Sequence, residues 1–323
     1  MASCRGFNMP YIVLKGRKLL LIAVVSATLS AAPLMILLEC YVLPFLMHRK
    51  FGDVTWHQLM SGISMPWSRN FYTLLAALVM ACLAPYAVVE YLNRRYVDAV
   101  EREMASFFKG LAEGVRAGMP LIKALEMAAR AASGPLGREM RAVVARVEMG
   151  SSLEEALAKL LEKVDVPSLR RAATLITVAY ESGGRVADVL DAAAEMYGMI
   201  RSYEDEKRAS IAPYAWTVYI SLAVFLFVST IVLVGFVEQL QRLRIPALLA
   251  SPIPPQLFKA IFFISSFIEA AFGGLVVGKM RGGTIKAGLL HSVILMGLVT
   301  LYFNLLDLYI EPLLRGVFQL FSS

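Results

Sequence analysis

Glycines followed by lysine and a hydroxyl are the residues that cradle nucleotide phosphates. Gly273-Gly-Leu-Val-Val-Gly278-Lys279 presents most of that pattern. A phosphate loop needs Ser or Thr next, to hold magnesium, and a strand ahead of its glycines. Here Met280 follows and the glycines fall in an apolar stretch. The four-residue spacing therefore reads as close helix packing through Gly274 and Gly278, with Lys279 snorkelling to an interface. A serine nucleophile needs a histidine base and an acidic partner. Ser182 stands in Glu181-Ser-Gly183-Gly184, but the three histidines, His48, His57 and His291, do not stand in pattern with it. Gly183 and Gly184 read better as a helix stop. His291 and Ser292 are adjacent and so lie on different helix faces, and Asp307 is the sole aspartate near an apolar span. Cys4, Cys40 and Cys82 are dispersed, without a CxxC pair, and give no zinc or redox signal. The reading expects no catalytic residue, no cofactor and no metal.

Two acidic features remain. Glu269 falls inside an apolar stretch, where a carboxylate is costly and either pairs or serves a function. His291 and Asn304 are its candidate partners in sequence, and a contact with a partner protein is the functional alternative. Glu204-Asp205-Glu206-Lys207-Arg208 stands just ahead of another apolar stretch. Such a run is either a solvated helix face or a docking ridge.

These residues are positioned by membrane-spanning sequence. Hydrophobic residues make up 58% of the 323-residue chain and mean hydropathy is +0.63, above that of a soluble domain. Five stretches, near 19–47, 71–92, 213–237, 258–279 and 287–307, are long enough to cross a hydrocarbon core of roughly 30 Å. Pro33 and Pro44 should tilt or kink the first, whose start resembles a signal peptide. Its apolar run to Met47 favours an uncleaved signal anchor. The expected organisation is a membrane region with two spans (1–92), a charged helical domain (93–212) and a membrane region with three spans (213–323). The 308–323 tail either completes the last span or lies along an interface.

The charge is distributed unevenly. Segment 93–212 has 18 Lys/Arg against 18 Asp/Glu. The net +7 of the chain comes from Arg5, Lys15, Arg17 and Lys18, and from Lys279, Arg281 and Lys286. Short basic loops stay on the cytoplasmic side. Five spans then place the N-terminus, 93–212 and 279–286 in the cytoplasm, with 48–70, 238–257 and the C-terminus outside. The basic balance is thus a matter of topology and lipid headgroups. A nucleic-acid footprint is not expected, since no basic stripe with interleaved aromatics occurs.

Within 93–212 the pattern is punctuated helix. Val97, Val100, Met104, Phe107, Phe108, Leu111 and Val115 recur at steps of three and four. Gly118 and Pro120 break that stripe, with Pro120 suited to the next helix's first turn. Ser133-Gly134-Pro135 and Met149-Gly150 mark further stops, Ser152…Glu155 reads as a capping box, and Pro167 opens another helix. The last starts near Arg185, with Val186, Val189, Leu190, Ala193, Met196, Tyr197 and Ile200 on one face, and runs on toward the span at 213. About six short antiparallel helices result, enough to bury one core. Gly110, Gly114 and Gly118 repeat a four-residue spacing at a propensity cost of roughly 1 kcal/mol each. That suggests a packing purpose, within the chain or against a second copy. The fold class is all-α: about five transmembrane helices with one cytoplasmic six-helix bundle.

AGMPLIKALEMAA (117–129), GSSLEEAL (150–157) and YESGGRVADVLDAAAEMY (180–197), in this order and spacing, resemble the F-domain of type II secretion and type IV pilus systems. GKMRGGTIKAGLLHS (278–292) resembles the corresponding loop of archaeal pilus and archaellum platform proteins, with tight-adherence pilus platforms a near relative. The resemblance implies a non-enzymatic scaffold in the plasma membrane. It would relay motion from a cytosolic hexameric assembly ATPase to pilin subunits leaving the bilayer. Bacterial platforms usually carry two such domains and this chain carries one, which implies a homodimer or pairing with a sister subunit. The alternative function class is a transporter or channel with a cytoplasmic regulatory domain. It calls for paired repeats and polar, broken helices at the midplane, and five spans do not divide into two repeats.

Overall fold

The computed structural model describes residues 17–42, 55–60, 63–67, 69–164, 166–237 and 255–310. Among them are nine α-helices: α1 (Arg17–Leu37), α2 (Arg69–Arg116), α3 (Leu121–Ala131), α4 (Pro135–Glu148), α5 (Leu153–Lys163), α6 (Pro167–Glu181), α7 (Val186–Thr230), α8 (Pro255–Gly282) and α9 (Leu289–Leu305). Five helical stretches, Leu20–Cys40, Asn70–Arg116, Gly183–Leu233, Phe258–Gly282 and Ile285–Leu308, are long and apolar enough to cross a membrane. Among the described residues the fold is all-α but for one antiparallel hairpin, β1 (Thr55–Met60) and β2 (Ile63–Trp67), with Thr55 opposite Trp67 and a bulge between Gln58 and Met60. It falls in the 48–70 loop, where the sequence reading expected no element. Strands this short, one of them holding Pro66, give little periodic signal.

The chain divides into two compact units, the described residues of Met1–Leu19 with Val89–Ser210, and those of Leu20–Val88 with Ile211–Ser323. Six helical segments build the first unit. Four are the short helices α3 to α6, and two are ends of the long helices α2 and α7. The apolar stripe of α2 is its backbone of packing: Tyr96, Val100, Met104, Phe107, Phe108 and Leu111 are all buried. Phe108 stacks on Tyr197 of α7 with ring centroids 5.3 Å apart, and the Tyr197 hydroxyl donates to the Ser168 carbonyl at 3.2 Å. An aromatic buried on its ring face and bonded at its hydroxyl fixes α7 against α2 and α6 at one point. The face expected on α7 is buried at Leu190, Ala193 and Tyr197, whereas Met196 and Ile200 are 37% and 40% exposed.

The turns follow from local chemistry. Gly118 (φ 86°) and Gly150 (φ 97°) take left-handed backbone, and the N–H of the next residue closes a six-residue ring in each case, Met119 to the Gly114 carbonyl and Ser151 to the Arg146 carbonyl. That is the Schellman stop, which favours glycine. Pro120 stands one residue before α3, as its cap, and not within its first turn. Ser152 Oγ accepts from the Glu155 N–H at 3.1 Å, as a capping box requires. The Glu155 carboxylate pairs forward with Lys159 at 2.6 Å. An opposite charge one turn on is the stronger attraction for that carboxylate, which is thereby held below its usual pKa range.

In the second unit α8 and α9 pack with backbones almost touching. A Cβ on Gly278 would stand 1.9 Å from Gly288 Cα, and one on Gly274 would stand 2.3 Å from the Ser292 N. Ser292 Oγ donates to the Ala271 carbonyl at 2.7 Å across the same seam. Small residues that let backbones meet, with a hydroxyl bonded across, are the usual means of joining apolar helices. Further polar links cross between helices: Ser26 to the Cys82 carbonyl, Tyr302 to the Leu226 carbonyl, Asn304 to Thr73, and Lys259 to Asp307.

Candidate functional site

The phosphate-loop resemblance dissolves in three dimensions. Gly273 to Lys279 lie inside α8, where their amides belong to the helix, and the space beside Gly274 is filled by Ser292 of α9 and that beside Gly278 by Ala287 and Gly288 of the turn before α9. Ser182 caps its own helix end, donating to the Ala179 carbonyl at 2.7 Å. No group of three or more His, Cys, Asp or Glu side chains could hold a metal ion among the described residues. Two acidic surfaces remain, one in each unit.

In the first unit, the run 204–208 is only partly solvated. Arg201 Nη2 pairs with Asp205 Oδ1 at 2.8 Å one turn along α7, and Arg208 Nη2 reaches Asp98 Oδ2 of α2 at 3.3 Å. Glu204 is half-buried and Glu206 exposed. Glu101 of α2 accepts a hydrogen bond from Ser168 Oγ. Burial pushes its carboxyl above the usual range, and the charges of Glu204 and Asp98 push the same way against the Ser168 bond and Arg171. Three carboxylates thus crowd where α2 and α7 run side by side, with Arg171 and Arg208 among them. Met199 and Tyr203 stand exposed on α7 beside this cluster. The sequence reading missed that apolar face, although positions 196, 199, 200 and 203 have helical spacing. They extend the stripe beyond the last residue that the core can cover.

In the second unit, Glu269 sits midway along α8. Its Oε1 accepts from Ser221 Oγ of α7 at 3.0 Å. The two partners expected from sequence bond elsewhere: His291 Nδ1 meets the Tyr219 hydroxyl at 3.1 Å, and Asn304 donates to Thr73 and to the Thr300 carbonyl. Gly273 lies against Val218, whose Cγ1 would stand 3.0 Å from a Cβ there. That contact lies one turn away from Glu269, and Phe225 meets Phe262 farther along. Between these contacts an open-sided groove of about 510 Å³ is lined by Thr217, Ile220, Ser221, Val224, Phe225, Val228 and Glu269. One carboxylate and two hydroxyls are its polar groups. Thr217 Oγ1 is spent on the Tyr214 carbonyl.

Of the helix-packing glycines, Gly114 is covered by Ala124 and Met127 of α3, and Gly118, Gly150 and Gly183 have left-handed backbone. Gly110 and Gly184 have nothing within 4 Å of the space a Cβ would fill. The four-residue repeat 110–114–118 therefore holds three unlike roles rather than one seam inside the chain.

Residues 107–234 match the family model described as type II secretion system, protein F. The match runs from the last ten residues of α2 through all four short helices and α7 to four residues past its end at Thr230. A Methanocaldococcus jannaschii protein described as uncharacterized is 25% identical over 223 residues, covering 68% of this chain and 36% of its own length. This chain thus spans about a third of that relative. No solved structure matches the chain.

Proposed function

We propose, from the match of residues 107–234 to the type II secretion system protein F model, that the chain is a membrane platform protein of a type IV pilus-like or type II secretion-like filament machine. The protein couples a cytosolic assembly ATPase to insertion or extraction of pilin subunits at the bilayer. The F-domain lies at the cytoplasmic face, and the platform forms as a homodimer or with a sister subunit. The observation that carries the reading is the family match over residues 107–234. One unbroken helix supplies Leu190, Ala193 and Tyr197 to the charged domain's core and Leu222 and Leu226 to the apolar unit's core. Glu204 and Glu206 on α7 supply a docking ridge for the ATPase, and Glu269 contacts the filament subunit.

Purification of the tagged protein from its native membranes in mild detergent, with mass spectrometry of what accompanies it, tests the reading. A secretion-type ATPase and a pilin-type subunit are expected. A folded, monodisperse protein that brings neither overturns it. Glu204→Lys with Glu206→Lys should lower ATPase recovery by about tenfold, the scale of one lost charge-assisted contact. Unchanged recovery removes the ridge from the proposal and leaves the platform.

A further inference from the structure

The groove beside Glu269 is built for something other than lipid. Its walls, Ile220, Val224, Val228 and Phe225, are what an acyl chain or an apolar helix would pack on, and Ile220 and Val224 are 57% and 54% exposed. Its floor is different. Glu269 receives one hydrogen bond, from Ser221, and among the described residues nothing else bonds to its carboxyl. A carboxyl in hydrocarbon needs its lone pairs met, and no acyl chain carries a donor. The groove is open-sided, with six of its seven lining residues on α7 and Glu269 alone from α8.

We propose that this groove between α7 and α8 seats one apolar transmembrane helix of a partner subunit, which brings a basic group to Glu269. Opposite charge is the complement that best relieves an acid at that depth, and helices of ordinary side chains interdigitate with rows four residues apart such as Ile220, Val224 and Val228. The partner's class, a filament subunit, rests on the platform reading above. The groove and its ion pair do not.

The test places a photo-crosslinking amino acid at Val224 in the full chain in native membranes, with Leu301 of α9, also exposed, as the control position. Irradiation is expected to join Val224, and not Leu301, to one membrane-spanning protein. Glu269→Ala should cut that adduct by about tenfold or more, the scale of a hydrogen bond to a charged group, and Glu269→Asp should retain most of it. Val224→Trp, which fills the groove and keeps the acid, should abolish an adduct formed from Ile220. Lipid adducts alone, an adduct of two copies of this chain, or an adduct indifferent to Glu269→Ala while protein levels hold would each overturn the proposal. A Glu269-dependent adduct with a helix unrelated to filament subunits would keep the groove and overturn the platform reading. Recovery of a pilin-type subunit that ignores Glu269 would do the reverse.

Discussion

Glu101 shows how a single ionisable group sets a sign. Its carboxyl is desolvated between α2 and α6 and faces the charges of Glu204 and Asp98, so its folded pKa lies above its unfolded one. The folded state then holds the proton more tightly. The stability this contributes is fully present below the ordinary carboxylate range and is lost as pH rises through the raised value, the opposite of a salt-bridged acid. Glu101→Gln keeps an acceptor for Ser168 and removes the charge. The variant should unfold at a higher temperature than the parent at neutral pH, with the advantage vanishing under acid conditions, as followed by circular dichroism in detergent. A lower midpoint at neutral pH would show that the ionised form is needed, through Arg171 or another cation. Glycine supplies a second residue-scale test. Gly110 is open and interior to α2, so Gly110→Ala should stabilise by roughly 0.5–1 kcal/mol. At Gly114 a new Cβ would meet that of Ala124 at 2.9 Å, and Gly114→Ala should destabilise by about 1–3 kcal/mol. If Gly110→Ala instead destabilises and lowers oligomer mass, a second copy covers that position.

At the scale of elements, the domain's boundaries come from chemistry that is local and therefore readable. Ser152→Ala removes the acceptor for the Glu155 N–H and should cost about 1 kcal/mol of domain stability, measured by denaturant unfolding. No change would mean that water replaces the cap. Stops at Gly118 and Gly150, Pro at the start of α4 and α6, and the stripe of α2 were all legible because each depends on residues within a turn or two. What depended on other elements was not. The second half of the capping box gave way to Lys159, Met196 and Ile200 of the α7 stripe are left exposed by the helices that cover Leu190, Ala193 and Tyr197, and the groove beside Glu269 depends on how α7 and α8 pack. Ser221 carried no signal as a partner for Glu269, being one of many hydroxyls in apolar sequence. Histidine and asparagine looked better partners by type, and tertiary packing gave both of them other bonds.

For the molecule as a whole, the question that organises the rest is which side of the bilayer each charged segment occupies. The chain's positive excess lies in two short segments, around residues 5–18 and 279–286, while the long segment 93–212 is electrically balanced. A balanced domain offers no charge barrier of its own to crossing a membrane, so its side is set by the short basic segments next to the apolar helices. With five helical stretches able to span, the proposal places both basic segments and segment 93–212 on the same, cytoplasmic, side. The assignment is testable in a chain with Cys4, Cys40 and Cys82 replaced and single cysteines returned. A cysteine at Glu206 or at Lys286 should react with a membrane-impermeant maleimide only after the cells are permeabilised, and one at Ser64 should react in intact cells. Labelling of position 206 from outside would invert the assignment and rule out the proposed contact with a cytosolic ATPase. Agreement at 206 and 64 with exposure of 286 would mean an even number of crossings between the F-domain and that loop changed to odd. One of the two intervening apolar stretches, at the end of α7 or in α8, would then lie within the membrane without crossing it.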